Sequence, residues 1–267
     1  MLLAFNQNCL YLLNSLMKTT IPGNIFVYCL AVVVFLSAAL GGCNKYYQPN
    51  AVQCQQIRIN DQAKKDTGIE QMLQPYAARV NQLMSKVIGE VAVPLEKKLP
   101  ESNLGNLMAD AMKAEAEKVY GLKVDAAFIN YGGIRISQVP VGKLTLNQVF
   151  EMMPFDNLLV VQKLPGNIFQ QFLDTVANRG GWPGSGIQYV IRNRKATEVI
   201  IGGQPLDISK TYVVANSDYV VNGGDNCTML GAYPQENKGF LVRDGLIDYF
   251  SAITARGKRF QQNWKTG

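Results

Sequence analysis

Hydrophobic and polar positions change period several times between residue 67 and the C-terminus. Apolar side chains recur at helical spacing in five stretches, and short apolar runs typical of buried strands lie between them. The helical stretches cover residues 69–88, 104–119, 146–152, 168–176 and 246–253. The strand-like runs cover residues 124–129, 158–164, 187–191, 197–201 and 212–216. Because helices and strands alternate without repeats, the pattern predicts one mixed α/β (α+β) domain over residues 67–267.

Turn and cap residues set the expected ends of these elements. Ser102 is a candidate N-cap, and Gly121 is a candidate stop for the same helix. Residues 145–148, Thr-Leu-Asn-Gln, have the form of a capping box. Pro165 suits a first helical position, and Pro75 either starts or kinks the helix in which it falls.

The N-terminal region is organised differently. Met17-Lys18 opens a short positive region, residues 25–39 are almost continuously apolar, and Leu40-Gly41-Gly42-Cys43 follows. This order is typical of a secretory signal peptide over residues 1–42, with the working start at Met17. Its ending resembles a bacterial lipobox, so we expect Cys43 to be lipidated and residues 43–66 to form a polar tether. The alternative is an uncleaved membrane anchor, although the apolar run is short for a span of about 20 residues.

The composition excludes several classes of ligand and catalytic site. The formal net charge of +6 suits an anionic ligand but is too small to indicate nucleic acid. The chain contains no histidine, which excludes a His-based catalytic triad and a His-containing metal centre. After removal of the signal peptide and lipidation, Cys54 and Cys227 remain, and they could pair or stay free.

The candidate site begins at residues 130–135, which read Asn-Tyr-Gly-Gly-Ile-Arg. A buried strand that runs straight into two glycines brings its backbone close to another group. Arg135 then presents a fork of donors suited to a phosphate or another oxyanion. The alternative is an ordinary tight turn followed by a surface arginine.

Four segments in register resemble the C-terminal, substrate-binding domain of the 5′-nucleotidases over nearly the whole mature chain. They are 101–107 (ESNLGNL), 130–135 (NYGGIR), 153–157 (MPFDN) and 216–225 (NSDYVVNGGD).

The resemblance implies a role for residues in three of these segments. Phe155 and Tyr219 would sandwich the nucleobase, and Asn157 would contact a base edge. Asp225 would accept hydrogen bonds from the ribose, and Arg135 would contact the phosphate. The alternatives are a core position for each aromatic residue and a turn-forming role for Asn157 and Asp225.

Two neighbouring regions match the family more loosely. Gly180 or Gly181 would let the base approach the backbone, and Trp182 in the same loop is either a lid or surface packing. Lys98 stands where many members of the family carry a phosphate-binding arginine, and Pro94 falls near the second such place. A lysine keeps the charge without the bidentate fork.

The complete enzymes of this family carry a dimetal phosphoesterase domain with histidine ligands ahead of the substrate-binding domain. We therefore expect no catalytic residue, cofactor or metal site in this chain, and no phosphoester hydrolysis by the chain alone. The favoured hypothesis is a nucleotide-recognition subunit in nucleotide catabolism that works with a separate, secreted metallophosphoesterase holding the divalent metals. One alternative is a surface lipoprotein that captures nucleosides or nucleotides, and another is a structural lipoprotein with a vestigial pocket. Each implies an exported, membrane-anchored protein of the periplasm or cell surface.

Overall fold

The computed structural model describes residues 23–39 and 66–260 of a chain that divides into two compact units, Met1–Lys64 and Lys65–Gly267. In the first unit, helix α1 spans Gly23–Ala39, and its described side chains are exposed. Among the described residues, no helix combines the length and the apolar character that a membrane crossing requires. Cys43 and Cys54 lie outside the described residues, as does nearly all of the expected tether.

The second unit contains the other helices and all the strands described. Its helices are α2 (Thr67–Met84), α3 (Asn103–Tyr120), α4 (Leu146–Met152), α5 (Gly166–Asn178), α6 (Asp218–Val221) and α7 (Val242–Ala255). Strands β1 to β6 are Val87–Val91, Leu95–Glu96, Ala126–Phe128, Gln138–Val139, Gly142–Thr145 and Leu158–Pro165. Strands β7 to β12 are Gly184–Ser185, Ile187–Arg192, Lys195–Ile201, Gln204–Pro205, Thr211–Ser217 and Gln235–Leu241.

A five-stranded sheet in the order β12-β6-β11-β3-β7 forms the centre of this unit. Strands β11 and β3 run parallel, and the other neighbours in this sheet are antiparallel. A second sheet contains β10, β9 and β8, and two small antiparallel pairs join β1 to β5 and β2 to β4. The mixed α/β class is therefore confirmed.

Strand β6 is buried on both faces because the two hydrophobic cores lie on opposite sides of the central sheet. Leu159 and Val161 belong to the core built with α3 and α7, whereas Val160 and Leu164 belong to the core built with α5. Alternate side chains of a strand point to opposite faces. An almost continuous apolar run is the sequence pattern of such a strand, which is why residues 158–164 could be recognised.

Three local sequence signals at the helix ends are confirmed. The Ser102 side chain accepts a hydrogen bond from Gly105 N at 3.1 Å, and Gly121 ends α3 in a left-handed conformation with φ +67°. Thr145 and Gln148 form the reciprocal capping box at the start of α4. Each device depends on a few adjacent residues, so the sequence alone is sufficient to specify it.

Two expectations about element ends were wrong, and one pair of alternatives is narrowed. Helix α2 ends at Met84, and Val87 and Ile88 lie in strand β1 instead of continuing the helix. Of the two alternatives for Pro75, a start of the helix is excluded, because the residue lies inside α2. Pro165 closes strand β6 with extended backbone, so α5 begins one residue later, at Gly166.

The strand directions bring several chain segments to one edge of the central sheet. Because β3 and β11 are parallel, the residues that follow both strands meet at this edge. Strand β6 is antiparallel to β11, so the residues that precede it, 153–157, arrive at the same place. Leu241 at the end of β12 pairs with Leu158, which brings the start of α7 there too.

Candidate functional site

The 130–135 segment forms a compact turn at this edge. Strand β3 ends at Phe128, and Tyr131–Gly133 make a single 3-10 turn in which Gly133 N donates to Asn130 O at 2.9 Å. A Cβ atom at Gly133 would lie only 2.6 Å from the Asn130 side-chain oxygen. The second glycine therefore allows the Asn130 amide to lie over the turn.

Asp225 is the anchor of the opposite side of the site. Its Oδ2 accepts from Asn130 Nδ2 at 2.8 Å, and its Oδ1 forms an ion pair with Arg179 Nη2 at 2.6 Å. The residue has a positive φ of +53°, a conformation that Asp tolerates better than most side chains. The carboxylate is thus fixed between the end of β3 and the end of α5. Each carboxylate oxygen retains a second lone pair for a ligand hydroxyl.

Arg179 was not anticipated from the sequence. It follows directly after α5 and precedes Gly180 and Gly181, both of which have positive φ. Its partner Asp225 stands 46 residues further along the chain. Arg179 and Asp225 meet only in the folded sheet. A motif made of neighbouring residues therefore could not have indicated this contact.

The two candidate base-stacking residues are exposed at this edge. Phe155 and Tyr219 expose 38% and 46% of their surfaces, whereas the phenylalanines of the core are almost fully buried. Phe155 lies in the loop between α4 and β6. Tyr219 lies in the short helix α6, which begins after the Ser217 cap, although the adjoining Asn-Gly-Gly-Asp sequence is typical of a loop. The core alternative therefore does not describe either ring.

Asp218 ties the segments of these two aromatic residues together. Its Oδ1 accepts from Leu158 N at 3.0 Å and from Tyr219 N at 2.8 Å. One carboxylate therefore joins the chain just after Phe155 to the residue that carries the second ring. Asn157 is half-buried between these points, and its backbone oxygen accepts from Val242 N at 2.9 Å.

Gly224 lies beneath the ring of Tyr219. A Cβ atom at this position would lie 2.5 Å from Tyr219 O and 2.6 Å from two atoms of its ring. The backbone of the Gly-Gly-Asp turn therefore supports one face of the Tyr219 side chain. This close approach explains the second glycine, whereas Gly223, with φ +96°, is required by the turn itself.

Arg243 supports the loop of Phe155 from below. Its guanidinium donates to the backbone oxygens of Met153 and Phe155 at 3.4 and 3.2 Å and pairs with Asp156 at 2.6 Å. It also lies over the Phe150 ring, 4.3 Å from the centroid. The Arg243 side chain is nearly buried, so it holds the loop as a structural cation. No sequence pattern indicated this role, because Arg243 is simply the second residue of a helix.

Two cations lie beside the 130–135 turn. Arg135 is exposed, donates from Nη1 to Gly132 O at 3.3 Å, and lies 5.7 Å from the Phe155 ring centroid. Lys97 Nζ donates to Ile134 O at 2.7 Å and lies 3.9 Å from the Tyr131 ring centroid. Burial, and secondly the charge of Arg135, lower the pKa of Lys97. Neighbouring cations in this arrangement create an electropositive point suited to an oxyanion.

Lys98, the lysine named from the resemblance, is placed differently. It is exposed and pairs with Glu96. Its neighbour Lys97 faces the turn instead, in line with the alternation of side chains along extended chain. Asn103 fixes this stretch by accepting from Glu96 N at 2.7 Å and donating to Pro94 O at 2.9 Å. The Glu-Ser-Asn-Leu-Gly segment thus builds the support from which Lys97 extends.

The loop after α5 contains one clear correction. Trp182 is neither a lid nor surface packing, because it is buried and meets Phe172 edge-on with ring centroids 6.0 Å apart. Gly180 has φ +91°, and its amide donates to Ala177 O at 3.0 Å as α5 ends. Its suggested contact with a base remains a prediction.

The expected chemistry also concerns the side chains that could bind a metal and the thiol of Cys227. Within residues 23–39 and 66–260, no group of three or more His, Cys, Asp or Glu side chains could hold a metal ion. Cys227 is a buried thiol, and burial together with the charge of Asp225 raises its pKa to about 12. Its suggested pairing with Cys54 involves a residue outside the described ranges.

The fold and these segments define a class of protein. The family model described as 5′-nucleotidase, C-terminal domain, matches residues 87–232, and the chain belongs to this family. The resemblance proposed from the four sequence segments is therefore confirmed.

Individual relatives agree with this assignment. The chain is 28% identical over 206 residues to a 5′-nucleotidase of Vibrio vulnificus (strain CMCP6), a match that covers 73% of this chain and 36% of the relative. It is 31% identical over 190 residues to the trifunctional nucleotide phosphoesterase protein YfkN of Bacillus subtilis (strain 168), covering 63% and 13%. The solved 5′-nucleotidase precursor of Thermus thermophilus is 30% identical with a TM-score of 0.62, covering 71% and 41%. The chain thus spans about a third of the Vibrio relative.

Proposed function

We propose that this chain is a nucleotide- or nucleoside-recognition protein of nucleotide catabolism that works with a separate metallophosphoesterase. The observation that carries the proposal is a pair of exposed aromatic residues, Phe155 and Tyr219, at one edge of the central sheet. Asp218 joins the backbone segments that follow and carry them. Stacking of a base on an aromatic ring contributes about 1–3 kcal/mol. Partly exposed rings held by the backbone are ready to stack with little loss of side-chain freedom.

The remaining groups support the recognition of a whole nucleotide. Asp225 is held in place by Asn130 and Arg179 and can accept hydrogen bonds from ribose hydroxyls. Arg135 and Lys97 would hold the phosphate, since both are cations beside the same turn. Asn157 and Gly180 would border the base.

The proposed partner is supported by the domain that the chain matches and by the absence of histidine from its sequence. The family model describes a C-terminal domain, and the relative from Vibrio is a longer protein named a 5′-nucleotidase. The chain contains no histidine, the usual ligand of a dimetal phosphoesterase centre. We therefore assign catalysis to another polypeptide at the same membrane, to which this chain would be attached through lipidated Cys43 after export.

Calorimetric titration of AMP and adenosine into the full chain in detergent tests recognition. We expect both ligands to bind, and Phe155→Ala and Tyr219→Ala each to lose about 1–3 kcal/mol of binding free energy. Ile208→Ala, which removes an exposed apolar side chain outside the site, is the matched control. Equal affinity in all four proteins, or no binding by the wild type at millimolar ligand, would contradict the recognition role.

A phosphatase assay with added Mn²⁺ tests whether catalysis belongs to another polypeptide. The pure chain should show no turnover of AMP, whereas membranes that carry the anchored chain should yield a co-purifying phosphatase. Turnover by the pure chain would overturn the proposal that catalysis lies elsewhere. Binding without any co-purifying phosphatase would instead support the capture of nucleosides or nucleotides by the lipoprotein alone.

A further inference from the structure

Helix α2 exposes a continuous apolar stripe. None of its 18 residues is buried, and five large apolar side chains along one line each expose half of their surface or more. These residues are Ile69, Leu73, Tyr76, Val80 and Leu83. They are separated by four, three, four and three residues, which is the spacing of alternating d and a positions in a heptad repeat.

The interactions within helix α2 are not sufficient to make it stable on its own. An isolated helix of this length is marginal in water, and its stability normally comes from packing of its apolar face. Pro75 inside the helix removes one backbone hydrogen bond, which is destabilising in a helix interior. The Asp66 cap accepts from Gly68 N at 2.9 Å and offsets only part of that loss. A partner that covers the stripe would supply the missing stabilisation.

We propose that the partner is the same stripe of a second copy, in a parallel two-stranded coiled coil. In this register Val80 at a and Leu83 at d form the pair that favours two parallel strands, whereas Leu73 at a and Ile69 at d form a pair that favours larger assemblies. The choice of two strands therefore rests on the C-terminal half of the helix. The six exposed apolar side chains, including Met72 beside the line, each expose half of their surface or more. At on the order of 100 Å² each, two copies would bury at most about 1,200 Å², at the lower end of specific interfaces.

The polar face of α2 favours a protein partner over a lipid surface. Its outward positions are mostly Gln, Asn and Ala, and Arg79 is the only basic residue within the helix. Helices that lie in a membrane interface typically carry several Lys or Arg residues on their polar face. Charge attraction to anionic lipid would therefore be weak.

The parallel orientation follows from the proposed anchor. If lipidated Cys43 holds each copy to one membrane, both copies of α2 are tethered to that membrane through their N-terminal ends. Attachment to one surface also raises the effective concentration of the two helices. A short coiled coil that would be weak in solution can then persist. The pairing itself does not depend on nucleotide binding or on a catalytic partner.

The mass of the full chain in detergent micelles, measured by light scattering after size exclusion, tests the pairing. The double variant Leu73→Asp/Val80→Asp places charges in the stripe, and Gln74→Asp/Asn81→Asp places the same charges one residue later, on the outer face. We expect dimers for the wild type and the outer-face variant, and monomers for the stripe variant. A monomeric wild type, or a dimeric stripe variant, would overturn the proposal.

Disulfide trapping tests the orientation and the identity of the occupant. In a parallel pair, Leu73→Cys and Val80→Cys each lie opposite their own copy and should give cross-linked dimers above the wild-type background, unlike Gln74→Cys. Cross-linking at only one position, or equally at Gln74→Cys, would refute parallel packing. A wild type that is monomeric until a phosphoesterase or a lipid vesicle is added would show that another occupant covers the stripe, and would overturn self-pairing.

Discussion

The contacts of Arg243 predict how much its replacement should change the stability of the chain and its affinity for adenosine. The variant Arg243→Met keeps much of the side-chain length and removes all of the donors. Two rather long bonds to backbone oxygens contribute about 1 kcal/mol each, and the contact with the Phe150 ring contributes about 1 kcal/mol. The pair with Asp156 contributes less than about 1 kcal/mol, because that carboxylate is 79% exposed.

An opposing contribution reduces the total. Arg243 Nε is buried without a hydrogen-bond partner among the described residues, and its removal relieves a desolvation cost of about 1–3 kcal/mol. These terms leave a net loss between about 0 and 3 kcal/mol, so we expect Arg243→Met to lower the free energy of unfolding by about 1.5 kcal/mol, the middle of that range. Because the loop of Phe155 loses its support, adenosine affinity should fall roughly fivefold to tenfold, corresponding to about 1–1.4 kcal/mol.

Urea denaturation of the full chain, followed by calorimetric titration of adenosine, measures both effects. Asp156→Asn is the matched control, since it removes only the exposed charge and should cost less than about 1 kcal/mol. An unchanged free energy of unfolding together with unchanged adenosine affinity in Arg243→Met would refute the supporting role assigned to this side chain.

Three further outcomes are expected. Gly224→Ala should weaken adenosine binding in calorimetry, because the added Cβ displaces the Tyr219 ring. Gly231→Ala is the control and should not weaken it, since a Cβ there would lie 3.6 Å from its nearest neighbour. Equal effects of the two variants would contradict the close approach of Gly224 to the ring. The affinity for AMP should decrease as pH rises through the pKa of Lys97, which lies below the usual lysine value, since the neutral amine no longer attracts phosphate. Lys97→Arg should remove this dependence, and adenosine titrated over the same pH range is the control. Cys227 should react slowly with an alkylating reagent at about pH 8 in the native chain and rapidly after denaturation, as mapped by mass spectrometry. The reason is that a thiol with a pKa of about 12 stays protonated at this pH. Rapid labelling of the native chain would refute this.

The features that could be predicted from the sequence are those decided by neighbouring residues. The Ser102 cap, the Gly121 stop and the capping box at Thr145 each depend on a single turn of chain. The doubly buried strand β6 could be predicted because burial on both faces leaves a continuous apolar run. Helix α2 was extended too far because Val87 and Ile88 fit the helical period and the strand period equally well.

The features that were missed depend on contacts between distant segments. Arg179 reaches Asp225 only because α5 returns to the edge at which β3 and β11 end. That Lys97 faces the 130–135 turn depends on the direction of its side chain along an extended stretch, which charge alone does not indicate. Trp182 stands among glycines and a proline, a composition typical of an exposed loop, yet it completes an aromatic cluster in the core.

The wide sequence separation of the groups in the site has a consequence for turnover of the protein in the cell. Asn130 meets Asp225 across 95 residues, and Arg243 meets the oxygen of Met153 across 90. A site of this kind exists only while the whole second unit is folded, so a ligand bound there stabilises the entire unit against unfolding. At a free concentration about 100 times its Kd, a ligand adds about 2.7 kcal/mol, which lowers the unfolded population open to proteases about a hundredfold. The lifetime of the protein would then rise with the supply of the molecule that it binds.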